Sequence, residues 1–169
     1  MDHRRPARFA AAYALLRAAA DVADHWVQSD KCAQAKGATD KAPVVYEDEK
    51  TEVKTTFGTS GGRRACAWHC ITYTGTQGLV LVVGARALGV RLHPAAVAGA
   101  LAISGFTHYA ADRRVPDGLL HQIAKKRGKE RFYKLADFGM NGAYVLDQAW
   151  HHGWETVAAY VATAGADRR

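Results

Sequence analysis

Three short stretches of this sequence carry polar residues at helical spacing. Asp24 and Gln28 in DVADHWVQ, His108 and Asp112 in THYAAD, and Asp147 and His151 in LDQAWH each lie four positions apart. That spacing stacks two side chains on one helix face. A fourth candidate, His69, stands in AWHC. Their surroundings are apolar: Ala100–Phe106 leads into His108, Ala110 and Ala111 precede Asp112, and Val145, Leu146 and Ala149 flank Asp147. A carboxylate in an apolar interior is costly unless it is neutralised. The pattern therefore predicts that these side chains meet and compensate one another, directly or through a cation.

Asp24, His69, His108, Asp112, Asp147 and His151 are the candidate ligands. Carboxylates and imidazoles on facing helices are how helical bundles build metal sites. The donor set suits a divalent metal, zinc first, with manganese or iron also fitting. Gln28 and Gln148 read as donors that orient the ligands. A cation there would lower the pKa of a water and polarise a phosphoryl or acyl oxygen, leaving Asp21 or Asp24 as a general base. A hydrogen-bonded network without a metal accounts for the same residues.

Taken in order, DVADHWVQSD, AWHCITYT, THYAADRR and GAYVLDQAWH resemble the signatures of an uncharacterised helical family of bacteria, notably actinobacteria, and their phages. Some of its members are described only as membrane or regulatory proteins. Its pattern is similar to HxxxDxxxQ, a lone His, HxxxD and DQxxH, and the match covers nearly all of the helical chain. The style of the motifs is also similar, more distantly, to membrane-bound metal-dependent hydrolases and to the zinc-dependent phospholipase C and single-strand nuclease enzymes. That resemblance implies phosphoester cleavage at a His/Asp metal site, as an analogy. One departure stands out: the family's first His falls at Ala20. Either Asp21, His25 or His3 replaces it, or part of the site is lost and a mononuclear centre remains.

A basic segment follows the HxxxD motif. Arg113, Arg114, Lys125, Lys126, Arg127, Lys129, Arg131 and Lys134 face only Asp117 and Glu130. Arg113, Arg114, Lys125, Lys126 and Arg127 are candidate phosphate contacts, with Phe132 and Tyr133 as stacking rings. A solvated charged face explains the same run. With a formal charge of +7, the partners expected are an anionic small molecule, a nucleic acid or lipid headgroups.

The positioning elements read as all-α: a single-domain bundle of about four long helices and one short one. The first runs from Pro6 to about Lys36, the next from Ala65 to Leu88, then Pro94 to about Arg113, the short Asp117–Arg127, and last Asn141 or Gly142 to Ala164. Between the first two lies a polar insertion, residues 38–64, closed by Gly58, Gly61 and Gly62. Val44–Tyr46 and Thr51–Phe57 in it form either a short hairpin or a surface loop. Three cysteines, Cys32, Cys66 and Cys70, make a poor disulfide framework, and MDHRRPARF is no secretory signal, so a cytoplasmic location is expected. Gly78–Val90 and Ala95–Phe106 fall short of a bilayer span and read as core helices, which leaves membrane-surface association open.

Two function classes follow. One is a metal-dependent hydrolase of a phosphoester in a nucleotide, nucleic acid or lipid. The other is a non-catalytic regulatory or interaction protein, in which the same cluster is a structural network.

Overall fold

The computed structural model describes residues 4–137 and 139–165, so His3 lies outside the described residues. The protein is all-α. Its elements are α1 (Arg4–Val22), a π-helical turn (Ala23–Val27), α2 (Asp30–Ala35), β1 (Val44–Glu47), β2 (Lys54–Phe57), α3 (Thr59–Ala87), α4 (Pro94–Asp112), α5 (Leu119–Lys126), α6 (Glu130–Tyr133), β3 (Ala136–Asp137), β4 (Met140–Asn141) and α7 (Gly142–Ala162). The four long helices are those expected. Three short ones accompany them, where one was expected.

The first helix does not run unbroken to Lys36. It widens into the π-turn and stops at Gln28, whose backbone is extended, and Ser29 then caps α2 by accepting from the Cys32 N–H at 3.3 Å. A Ser followed by Asp is a helix start, and here it outweighs the helix-forming run around it. Helix α3 begins at Thr59, six residues before Ala65, so Gly61 and Gly62 are helical and do not close a loop. The start is fixed by a reciprocal pair, Asp40 N–H to Thr59 Oγ1 and Thr59 N–H to Asp40 Oδ1. Gly62 is needed for close approach, since a Cβ there would lie 2.5 Å from the Ala38 carbonyl oxygen. The insertion holds an antiparallel hairpin with Val44 opposite Phe57 and Glu47 opposite Lys54. Its turn is organised by Asp48 Oδ1, which accepts from the Lys50 and Thr51 N–H groups. Strand pairing is not confined to the insertion: β3 and β4 form a second, two-residue hairpin.

The chain divides into two compact units. Unit 1 comprises Met1–Gln28, Cys70–Thr107 and His152–Arg169, and unit 2 comprises Ser29–His69 and His108–His151. The core of unit 1 is built from small residues around a few large ones: Ala12, Leu16, Leu81, Ala100, Ala158, Ala159 and Ala162, with Phe9, Tyr13 and Val97 against them. Small residues let the helices approach closely. A Cβ at Gly84 of α3 would collide with Leu15 of α1, and one at Gly78 would meet Leu101 of α4 at 3.0 Å.

Unit 2 is held by polar joints as much as by apolar ones. The Arg113 guanidinium donates to the carbonyl oxygens of Lys36 and Ala38, stitching the end of α4 to the end of α2. Gly142 starts α7 where a Cβ would collide with the Phe132 carbonyl, so only glycine fits that contact. Among the described residues, no helix is long and apolar enough to cross a membrane.

Candidate metal centre

The HxxxD motif sits at the last turn of α4, the lone His at the first third of α3, and the DxxxH motif at the start of α7. Each is placed by its i, i+4 spacing on a buried helix face. In unit 2 the four side chains His69, His108, Asp112 and His151 are each no more than 3% exposed, and they converge. The Nε2 atoms of His69 and His108 are 2.8 Å apart. Asp112 Oδ2 lies 3.1 Å from the first and 3.4 Å from the second. The His151 ring stacks on that of His108 with centroids 4.3 Å apart. One ligand atom from each of His108, Asp112 and His151 falls within 4.8 Å of the others.

The centre carries two cations: Lys36, which the sequence did not single out, and Arg114, a candidate phosphate contact. Lys36 is buried, and its ammonium sits 2.7 Å and 2.6 Å from the two oxygens of Asp112. Arg114 donates to Asp147 Oδ2 at 2.7 Å and lies 3.4 Å from Asp112 Oδ1. Asp147, also buried, turns its Oδ1 toward His151 Nε2 at 3.5 Å, and that oxygen has no hydrogen-bond partner among the described residues. Burial alone would raise the pKa of Asp112. Hydrogen bonds from His108 and His69, with the charge of Lys36, outweigh it and hold the carboxyl well below its ordinary range.

The His69–His108 contact restricts protonation. Two ring nitrogens 2.8 Å apart can share one proton, one donating and the other accepting, and they repel if both carry one. Three donor atoms separated by 2.8–3.4 Å are also at the spacing of neighbouring ligands round a tetrahedral zinc, about 3.3 Å for bonds of about 2.05 Å. The chemistry and spacing of the donors therefore fit a divalent ion held by His69, His108 and Asp112, with His151 beside them.

A cavity of about 230 Å³ adjoins the centre through Asp147 and Arg114, and Arg113, Leu119, Tyr133 and Tyr144 also line it. Lys125, Lys126 and Arg127 do not line it: they close α5, where cations complement the negative end of the helix. Gln148, half-buried on α7, belongs to unit 2 as well. Cys32, Cys66 and Cys70 are buried thiols outside any disulfide, and Cys66 Sγ points at the Tyr109 carbonyl 3.9 Å away.

Asp21, Asp24 and Gln28 belong to unit 1. Asp21 is exposed and ion-paired to Arg17 one turn earlier, and its carbonyl lies 2.9 Å from His25 Nδ1. Asp24 is half-buried on the π-turn and Gln28 ends that turn. Unit 1 holds a second buried polar network. Arg17 donates twice to Glu155, at 3.1 Å and 2.9 Å, and the Tyr73 hydroxyl donates to Glu155 Oε1 at 2.8 Å. Gln77 donates to Tyr73 Oη at 3.3 Å and accepts from Ser104 Oγ at 2.6 Å. Burial, then the charges of Glu155 and Asp24, push the Tyr73 phenol far above its ordinary pKa. A signal for this network exists in the sequence. Glu155 continues the Asp147, His151 face at i+4, Tyr73 and Gln77 continue from His69, and Ser104 precedes His108 by four.

No family model, no curated protein and no solved structure matches this chain.

Proposed function

We propose that this protein is a divalent-metal-dependent hydrolase of a phosphoester, in a nucleotide, nucleic acid or lipid, with zinc as the metal. The reading rests on one observation: His69 Nε2, His108 Nε2 and Asp112 Oδ2 converge within 3.4 Å of one another, next to a cavity edged by arginine. The ion would be held by His69, His108, Asp112 and His151. When bound it supplies Lewis acidity and a source of hydroxide near neutral pH.

The chain's own residues do the rest. Arg114, about half exposed and at the cavity wall, meets a phosphoryl oxygen while keeping Asp147 in place. Asp147 Oδ1 has lone pairs to spare and accepts the proton of the attacking water. Lys36 balances the charge of Asp112 and orients it. Arg113 is spent on backbone carbonyls and shapes the wall of the cavity.

Metal analysis of the purified protein, followed by turnover of a chromogenic phosphodiester, tests this reading. Near-stoichiometric zinc, and activity lost on chelation and in Asp147→Asn, is the expected result. Trace metal with no gain on reconstitution overturns it.

A second reading is favoured by a specific observation. Lys36 and Arg114 already supply two positive charges against Asp112 and Asp147, so the network is balanced without an ion. On that reading the protein is a non-catalytic regulatory or interaction protein, and chelation changes neither its stability nor its binding.

A further inference from the structure

Unit 1 presents an outward face that nothing in the described residues covers. On α3 the buried positions are Tyr73, Gln77, Leu81 and Ala85. Two residues round from each lie Ile71, Gly75, Leu79 and Val83, all exposed, Leu79 to 67%. On α4 the inward positions are Ala100 and Ser104, and the opposite face carries Ala98, Ala102 and Phe106, the last 78% exposed. The two helices are neighbours, since Gly78 meets Leu101 and Gly105 meets Thr74. Their outward faces therefore lie side by side. Between Cys70 and Ala85, and again between Pro94 and Thr107, neither helix has a single charged residue. Water-exposed helices ordinarily carry charge on such a face, and a contiguous apolar patch of this kind marks an interaction site.

The charges that border the face have one sign. Arg86 and Arg91 follow the stripe at the end of α3 and are exposed, with Leu88, 62% exposed, between them. The packing of Leu15 on Gly84, and of Phe9 in the cluster with Leu92 and Val97, brings the start of α1 to this same end of the unit. That start carries Arg4, Arg5 and Arg8. The acidic residues of unit 1 among the described residues are Asp21, Asp24 and Glu155. Asp21 and Glu155 lie with Arg17, and Asp24 and Glu155 act on Tyr73, further along the helices. An uncharged helical face that runs into an arginine-rich end, with no acidic residue there among the described residues, is complementary to an anionic lipid surface: apolar side chains enter the acyl boundary while guanidinium groups meet the headgroups. A second copy of this chain, paired antiparallel on this face, would leave those arginines without an anionic partner.

We propose that the α3–α4 face of unit 1, centred on Leu79, Val83 and Phe106 and bordered by Arg86 and Arg91, docks the protein on anionic lipid. It does so peripherally, since neither helix is apolar enough to cross.

The test is co-sedimentation of the full chain with vesicles of phosphatidylcholine, with and without phosphatidylglycerol. The wild type pellets with the anionic vesicles and, at low salt, at least about tenfold more strongly than with the zwitterionic ones. Leu79→Glu with Phe106→Glu abolishes pelleting with an unchanged circular dichroism melt, both side chains being exposed. Arg86→Gln with Arg91→Gln lowers anionic binding on the order of tenfold and leaves zwitterionic binding unchanged. Failure to pellet at low salt overturns the proposal, as does pelleting unaltered by the Glu pair. So does a concentration-dependent dimer that the Glu pair abolishes in a protein indifferent to vesicles.

Discussion

The two buried polar networks solve the same problem with opposite chemistry. In unit 1, Arg17, Glu155, Tyr73, Gln77 and Ser104 form a directional chain in which each contact runs from a donor to an acceptor. One carboxylate faces one guanidinium, and neutral groups fill the remaining positions. In unit 2, two imidazole nitrogens face each other at 2.8 Å, and one carboxylate oxygen lies within 3.4 Å of both and accepts from an ammonium. The first arrangement is complete as it stands. The second concentrates acceptor lone pairs at a point, and such a point is served by a shared proton, by Lys36 or by a metal ion. Closure marks a network that stabilises, and convergence marks one that can bind.

The sharpest way to break the comparison is to remove the carboxylate from each network. Asp112→Ala strands the Lys36 ammonium, whose side chain is only 4% exposed, in an apolar interior. The expected loss is about 3–5 kcal/mol in urea unfolding. Adding Lys36→Met to Asp112→Ala recovers much of it, because a buried pair replaced as a whole by apolar groups is far less harmful than half a pair. A double variant as unstable as the single one would mean that the imidazoles, and not the ammonium, depend on Asp112.

Glu155→Ala is the counterpart and should cost less, about 2 kcal/mol. Arg17 is a fifth exposed and can turn to Asp21 and to water, so the loss falls mainly on the Tyr73 hydroxyl, which donates to Glu155. An equal or larger loss than in Asp112→Ala would reverse the ranking of the two networks.

Much of this arrangement was legible in the sequence, for physical reasons. Polar residues four apart on otherwise apolar helices have one cheap place to go, and His108, Asp112, Asp147 and His151 went there. The hairpin of the insertion was one of two readings left open there, the other being a surface loop. Lys36 was not legible: it sits in the polar stretch KCAQAKGATD, before a glycine, and reads as a frayed, solvated helix end. Its burial depends on Arg113 holding the Lys36 and Ala38 carbonyls from the far end of α4, a long-range contact that no local pattern encodes. The break at Gln28 was overlooked because Ala and Leu dominate the helix before it, although Ser29-Asp30 is a start signal. Glu155, Tyr73 and Gln77 were missed by stopping each i, i+4 series one turn too soon.

The networks should also fail at opposite ends of the pH scale. The folded-state pKa of Asp112 is depressed, so its contribution is whole above the unfolded value, about 3.9, and is lost as pH falls below it toward the folded one. Asp112→Asn should therefore flatten the acid limb of stability. Tyr73 is raised, so its neutral form is retained on folding, and its contribution is present below about pH 10 and lost above it, at up to about 1.4 kcal/mol per pH unit. Tyr73→Phe should remove that alkaline slope at the cost of about 1 kcal/mol for its hydrogen bond at neutral pH. Thermal melts across the range check both, and an alkaline slope unchanged in Tyr73→Phe would detach this phenol from the network.

The smallest effect sharpens the comparison most cheaply. Asp21 stands one step from Ala20, where the pattern that the sequence resembles has a histidine, and was a candidate base on sequence alone. It is exposed, and its partner Arg17 is already engaged by Glu155 on the inner side. An exposed i, i+4 pair contributes about 0.3–0.5 kcal/mol, and Arg17 keeps both contacts from Nη1 to Glu155 without it. Asp21→Asn should thus shift stability by no more than about 0.5 kcal/mol and, on the proposed hydrolase reading, leave metal content and phosphodiester turnover as in the wild type. A fall in turnover at unchanged stability would place Asp21 in the chemistry after all. It would also mean that the closed network of unit 1 supports catalysis as well as folding.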